Sequence, residues 1–236
     1  MTAYRLHFEP ANLATIELIN SGKLGEPRYF SSTFSYQVTD PDNIRLQLAR
    51  GGVPVYDIRT YCINAARYLL QDEPNEVFAT LARSQDPPFD EVEEMAAVTL
   101  RFPRGRLASF IVSFGASTAS RYEFVGTNGR VVLEPAYEYS EALKQTVTVD
   151  EKSEEKSFPH TGQFSGELEA FSQHVLEDTD PESSAEEGLA DLRVIDAIFA
   201  SAARGQPVRL QPFERHARPE GEQVRRRPAA KASTDT

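Results

Sequence analysis

Cysteine, histidine and lysine are scarce in this chain: one, four and five among 236 residues. The lone Cys62 cannot form an internal disulfide, and with four scattered histidines it offers no metal-ligand spacing, so no metal site is expected. No run of about 18 apolar residues occurs, so no membrane-spanning helix is expected. No basic segment followed by an apolar core opens the sequence, so no secretory leader is read there. These absences point to a cytoplasmic protein of a reducing compartment. Positive charge is also short, with 36 acidic residues against 25 basic ones and a net charge of −11. Such a surface repels phosphate, which argues against nucleic acid as a partner. The few lysines against 20 arginines fit either a GC-rich genome or a salt-rich cytoplasm.

The 13 glycines form neither a G-x-G-x-x-G turn nor a P-loop. Gly126 and Gly129 sit in a turn, and Gly51-Gly52 follow a loop rather than a strand. No dinucleotide-binding βαβ unit is therefore expected within this sequence. A G-x-S-x-G elbow and a repeated histidine spacing are missing too.

What is present is a succession of short alternating segments between helical ones. Residues 4–8 read as a strand, and Pro10 to Ile19 as a helix with Pro in its first turn and Gly22 beyond its end. Arg28 to Val38 reads as a strand, Tyr56 to Leu70 as the clearest helix. Segments 75–83, 95–102, 106–114, 119–126, 129–133 and 145–149 read as strands, with Asn128-Gly129 marking a hairpin. Gln163 to Leu176 and Ser184 to Ala203 read as closing helices, and Val208 to Leu210 as a last edge strand. Consecutive strands flanked by helices indicate an α+β fold: an open, predominantly antiparallel sheet with helices on one face. Segment 106–114 carries apolar side chains on both sides, which calls for a second cover, and another subunit is the simplest one. From Glu214 the chain is polar and Arg-rich, six cations against four acids, and reads as a disordered tail.

Within the helix YDIRTYCINAARYLL, Asp57 and Tyr61 stand four residues apart, with Asn64 and Tyr68 continuing the same face. A carboxylate and a phenol so placed can serve a reaction that moves a proton from a sugar hydroxyl, provided a cation stands near to favour the phenolate. The same spacing also serves a half-buried tyrosine beside a solvated helix start, and on spacing alone that second reading prevails.

Collinear motifs add a resemblance. AYRLHFEPANLATIELINSGKLGEPRYFSS, GGVPVYDIRTYCINAARYLL, EVEEMAAVTLRF, RLASFIVSFGAS, GTNGRVVLEPAYEY, QFSGELEAFSQHVL and EEGLADLRVIDAIFASAARGQPV follow in order over about residues 3 to 210. Their succession resembles the substrate-binding and oligomerisation domain of the glucose–fructose oxidoreductase (Gfo/Idh/MocA) family. The resemblance implies a C-terminal sheet domain of the glyceraldehyde-3-phosphate dehydrogenase type. It also implies a sugar or polyol substrate and hydride exchange with NAD or NADP in the complete enzyme. Carried onto this sequence, it makes Asp57 and Tyr61 the catalytic pair. Arg5, His7, Asn64, Tyr137 and Tyr139 become substrate-side residues, and Arg45 stands beside the cofactor.

The resemblance divides the chain into 1–22, a strand and helix joining a Rossmann domain, 23–213, the sheet domain, and 214–236, the tail. It places the Rossmann domain and an E-K-P lysine outside this sequence, so the chain alone is expected to bind no nucleotide and to be inactive. Arg5 and His7 are then expected to be solvated. A homo-oligomer through the open sheet face and a separate Rossmann-domain chain are the implied partners. Two positions depart from the pattern: Arg59 stands where relatives keep glycine after D-I, and Val53 replaces a loop glycine. The competing reading is a non-catalytic dimerisation or ligand-binding module.

Overall fold

In the computed structural model, which describes residues 1–50, 52, 54, 56–84, 88–215 and 217–223, the alternating segments join in one nine-stranded sheet. Its strands are β1 (Pro27–Ser35), β2 (Glu76–Ala82), β3 (Met95–Arg101), β4 (Leu107–Ser113), β5 (Ala119–Gly126), β6 (Gly129–Leu133), β7 (Leu143–Val149), β8 (Lys152–Phe158) and β9 (Val208–Arg209). They lie in the order β8-β7-β6-β5-β1-β4-β3-β2-β9. Only β1 and β4 run parallel; the other neighbours are antiparallel. The helices are α1 (Pro10–Asn20), α2 (Arg59–Leu70), α3 (Gln163–Glu177) and α4 (Ala185–Arg204). The result is the α+β fold with an open, mainly antiparallel sheet.

Alternation decides the two faces. In β4, Ala108, Phe110 and Val112 point into the core, where α2 packs on β1 and β4, and α4 on β2. Leu107 and Ile111 point the other way, with Tyr29 on β1 and Phe78 on β2; all four are exposed, Ile111 by 52%. One sheet face is thus covered by helices and the other is open and partly apolar.

Several elements differ from the sequence reading for identifiable reasons. Residues Arg5–Phe8 form a 3-10 turn rather than a strand, closed by the His7 amide donating to the Tyr4 carbonyl. A turn satisfies these backbone groups locally, whereas a strand needs a neighbour's ladder. Helix α2 begins at Arg59, because the amides of Ile58 and Arg59 both donate to the Pro54 carbonyl and hold residues 56–58 in a turn. Strand β8 lay hidden in the charge cluster: KSEEKSF has no apolar alternation, and only Phe158 is buried. Charged side chains suit an outer edge strand because they discourage further pairing. Asp150 and Glu151, both at positive φ (49 and 63), turn β7 into β8 without a glycine.

The start of the supposed tail is also placed. Arg215 forms an ion pair with Glu187, its Nε 2.7 Å from the carboxylate, and donates from Nη2 to the Glu182 carbonyl at 3.1 Å, while Arg218 donates to Glu73 at 2.8 Å. Both arginines sit beside carboxylates that Arg67 also engages. Val53, Gly51 and residues 224–236 lie outside the described residues. Among the described residues, no helix is long and apolar enough to cross a membrane.

Candidate active site

The Arg5–Phe8 turn, the segment before α2 and the first turns of α2 enclose a cleft of about 220 Å³. Arg5, Tyr56, Asp57, Thr60, Tyr61 and Asn64 are among its lining residues. Asp57 and Tyr61 therefore meet at one cavity, Asp57 in the turn that leads into α2 and Tyr61 in the helix itself.

Asp57 is held by two donors on one oxygen. Arg45 Nε donates to Oδ2 at 2.5 Å, and the Tyr36 hydroxyl donates to it at 3.2 Å. Oδ1 has no partner among the described residues. The hydrogen bond to Asp57 raises the Arg45 guanidinium above its usual value. Burial, then the Asp57 charge, pushes the Tyr36 phenol up, so Tyr36 stays a proton donor to Asp57. Arg45 comes from the 3-10 turn Ile44–Leu46, whose start is capped by the Asn43 side chain accepting from the Arg45 amide.

Tyr61 is held from the other side. Arg5 Nε donates to its hydroxyl oxygen at 3.3 Å, and the Arg5 guanidinium stacks 4.9 Å from its ring centre. The phenol oxygen accepts from Arg5, and among the described residues no acceptor meets its own proton. The Arg5 guanidinium thus places a cation of this chain in direct contact with the Tyr61 phenol. Arg5 is 6% exposed rather than solvated: its other nitrogens donate to the Tyr137 carbonyl at 2.6 Å and to the Gln163 side chain. Gln163 in turn donates to the Glu138 carbonyl.

The remaining sequence candidates divide. Tyr139 is exposed, its ring 5.3 Å from the Arg5 guanidinium and 5.6 Å from the ring of Phe164, so it stands at the rim. Tyr137 is fully buried, and its hydroxyl pairs with Ser32 at 2.6 Å; it contributes a carbonyl to Arg5 and a ring against Tyr61, not a group in the cleft. Cys62 lies in the helix core, where burial pushes its thiol up to about 11, so it is no nucleophile at neutral pH.

His7, expected to be solvated, is 1% exposed. Its Nδ1 lies 2.7 Å from Glu182 and its Nε2 lies 2.7 Å from Asn64 Oδ1. The Asn64 amide donates to Glu187, which leaves its Oδ1 facing the ring, and with Glu182 at the other nitrogen this arrangement favours the protonated imidazolium. Burial alone would favour the neutral ring; the Glu182 charge and both hydrogen bonds outweigh it and raise the imidazole above its usual 6.5. A raised histidine stabilises the fold fully below its unfolded value and loses that contribution as pH rises through the folded one. The urea midpoint should accordingly fall as pH climbs above about 6.5, and His7→Gln should flatten that slope. A slope unchanged in the variant would refute the assignment.

Sequence reasoning missed Tyr36 and Gln163. Tyr36 read as one more strand aromatic, and Gln163 as a helix start. Gln163 meets Arg5 across 158 residues, and no local pattern carries such a pairing.

Residues 13–132 match the GFO/IDH/MocA C-terminal domain model. D-xylose 1-dehydrogenase [NADP(+)] of Haloarcula marismortui is 33% identical over 215 residues, covering 89% of this chain and 60% of the relative. D-xylose 1-dehydrogenase (NADP(+)) 2 of Haloferax volcanii is 31% identical, covering 89% and 64%. The crystal structure of aldose-aldose oxidoreductase from Caulobacter crescentus complexed with glycerol superposes with a TM-score of 0.83 at 32% identity, covering 89% of this chain and 63% of that one. The chain thus spans about three-fifths of the relatives' lengths, and it belongs to the GFO/IDH/MocA family.

Proposed function

We propose that this chain is the substrate-binding part of an NAD(P)-dependent sugar oxidoreductase, with Tyr61 handling the hydroxyl proton. The observation that carries this is the Tyr61 phenol at the cleft, its oxygen bonded by Arg5 and its proton uncommitted among the described residues, in a cavity shared with Asp57. A phenol so held can exchange a proton with a sugar hydroxyl. Asp57, fixed by Arg45 and Tyr36, has a free carboxylate oxygen that can accept from a second hydroxyl. The relatives' names support an aldose as substrate and NADP as cofactor.

A bound nicotinamide would accept or supply the hydride at the sugar carbon. The fit is partial. The rings of Tyr56 and Tyr61 and the Arg45–Asp57 pair suit a flat amide-bearing ring and a polyhydroxy substrate. The sequence has no glycine-rich phosphate turn, so the phosphates fall to a nucleotide-binding domain. Arg45, two-fifths exposed at the cleft edge, is the residue set to face the cofactor. Self-association through the open sheet face, around Ile111, belongs to the same reading.

The test is NADP+ reduction with D-xylose as probe, measured on the chain joined to the nucleotide-binding part of the Haloarcula marismortui relative. Turnover is expected, and Tyr61→Phe should lower kcat by about 10²- to 10⁴-fold with nucleotide affinity unchanged. If no aldose is turned over, or if the phenylalanine variant keeps full kcat, the proposal fails.

A further inference from the structure

Arg5 is a buried guanidinium whose hydrogen-bond partners are all neutral. Its Nε donates to the Tyr61 hydroxyl at 3.3 Å, Nη2 to the Tyr137 carbonyl at 2.6 Å and Nη1 to Gln163 Oε1. Among the described residues no carboxylate makes an ion pair with it, whereas the buried Arg67 engages three acids. A buried cation ordinarily takes an acid partner. Acids are near, but none is in contact. Burial pushes the carboxyls of Glu9, Glu138 and Glu167 up, and the Arg5 charge offsets part of that rise. Asp57 shares the cleft with Tyr61 but is tied to Arg45, and His7, on the same turn as Arg5, is tied to Glu182.

We infer that Gln163 is a positioning residue that holds Arg5 while leaving its charge directed at Tyr61, an inference that rests on the functional reading above. Gln163 is buried and stands at the first position of α3. Its amide oxygen accepts from Arg5, which has only donors to offer. Its amide nitrogen donates to the Glu138 carbonyl at 3.0 Å, which can only accept. One neutral group thus fixes the guanidinium without cancelling its charge. A glutamate would suit the helix better: the first turn of an α-helix favours acids, α4 carries Glu186 and Glu187 there, and α3 carries none. A glutamate would also set a carboxylate on Arg5 and an acceptor against the Glu138 carbonyl. With glutamine in place, the first anion to touch the guanidinium is a phenolate at Tyr61. That is the form that takes the sugar proton in oxidation and is left behind in reduction. The Arg5 contact is stronger for the phenolate than for the phenol, so it acts on the step and not only on the fold.

The experiment reads ionisation at position 61 in the 236-residue chain alone. A difluorotyrosine in place of Tyr61 ionises near neutral pH, and its fluorine NMR signal moves as the phenolate forms. Q163E should move the midpoint of that titration to higher pH by about 1 pH unit or more, and Arg5→Met, which removes the cation, should move it the same way. Circular dichroism verifies that each variant folds. In the chain joined to the nucleotide-binding part of the Haloarcula marismortui relative, Q163E should lower kcat for D-xylose oxidation at neutral pH by about tenfold or more and regain it as pH rises. A midpoint that Q163E leaves in place overturns the inference, as does one that Arg5→Met leaves in place, so the test survives a failure of either variant to fold. A midpoint that moves while kcat keeps its value and its pH profile would sink the functional reading of Tyr61 and leave the positioning role standing.

Discussion

Arg67→Ala should cost this chain about 3–5 kcal/mol, a large part of the roughly 5–15 kcal/mol that holds a domain folded. Arg67 is fully buried on α2 and is surrounded by carboxylates. It donates to Glu73 from Nε at 2.8 Å, to Glu187 and Asp191 from Nη1 at 2.6 Å each, and to Glu73 and Glu187 again from Nη2. Burial alone would lower its guanidinium, but Asp191, Glu73 and Glu187 together hold it well above its usual value. Removing it strands acidic groups in the interior, and that uncompensated charge is the source of the cost. Arg67→Lys should recover only part of the loss, because one ammonium cannot reproduce a fork that engages three acids. The measurement is the urea midpoint of each variant. A loss under about 1 kcal/mol for Arg67→Ala would mean that water reaches the network and screens it.

The consequence reaches the candidate site through shared partners. Glu187 accepts from both Arg67 and Asn64, and Asn64 accepts from His7. Asp191 accepts from Tyr4, the residue before Arg5. Arg215 and Arg218 close the same nest from the chain's far end, through Glu187 and Glu73. The polar interior thus ties α2, α4 and the N-terminal turn together, and the turn is what presents Arg5 to Tyr61. The predicted signature of Arg67 loss is therefore loosening of the 5–8 turn along with global destabilisation, which amide exchange can separate from a purely local effect.

How far the sequence revealed this arrangement depends on what kind of contact made it. Strands β3, β4, β5 and β6 were readable because apolar residues alternate along them and Asn128-Gly129 marks the hairpin between β5 and β6. Helices α3 and α4 were readable from their periodicity, and α4 also from Glu186 and Glu187 at its start. The polar interior was not readable. His7 meets Glu182 across 175 residues, and Arg5 meets Gln163 across 158. Hydrophobic periodicity reports which face of an element is dry, but it is silent on which distant polar groups pair once buried. The same gap made Arg5 and His7 look solvated. It also let Asp57 look helical when the Pro54 carbonyl delays the helix by a turn.

Arg59→Met should stabilise the chain by about 1–4 kcal/mol, the opposite sign to Arg67 although both are fully buried arginines. The difference lies in their partners. All three guanidinium nitrogens of Arg59 are without a hydrogen-bond partner among the described residues. Among the described residues, the ring of Phe199 lies 5.6 Å from the group. Burial pushes this guanidinium well below its usual range, as expected for a cation without an acid beside it. A ring face at that distance returns at most about 2 kcal/mol, less than the several kcal/mol lost when a cation leaves water. Methionine fills much of the same volume with no charge to desolvate. Arg59→Gly should gain less, since it empties the space and weakens the first turn of α2 by up to about 1 kcal/mol. Because Arg59 begins the helix whose third residue is Tyr61, relieving its strain also bears on how firmly that phenol is placed. A raised urea midpoint for Arg59→Met, with Tyr61 still hydrogen-bonded to Arg5, is the expected result. A midpoint lowered by more than about 1 kcal/mol equivalent would show that the guanidinium has an acceptor after all, and that the arginine is kept for its charge.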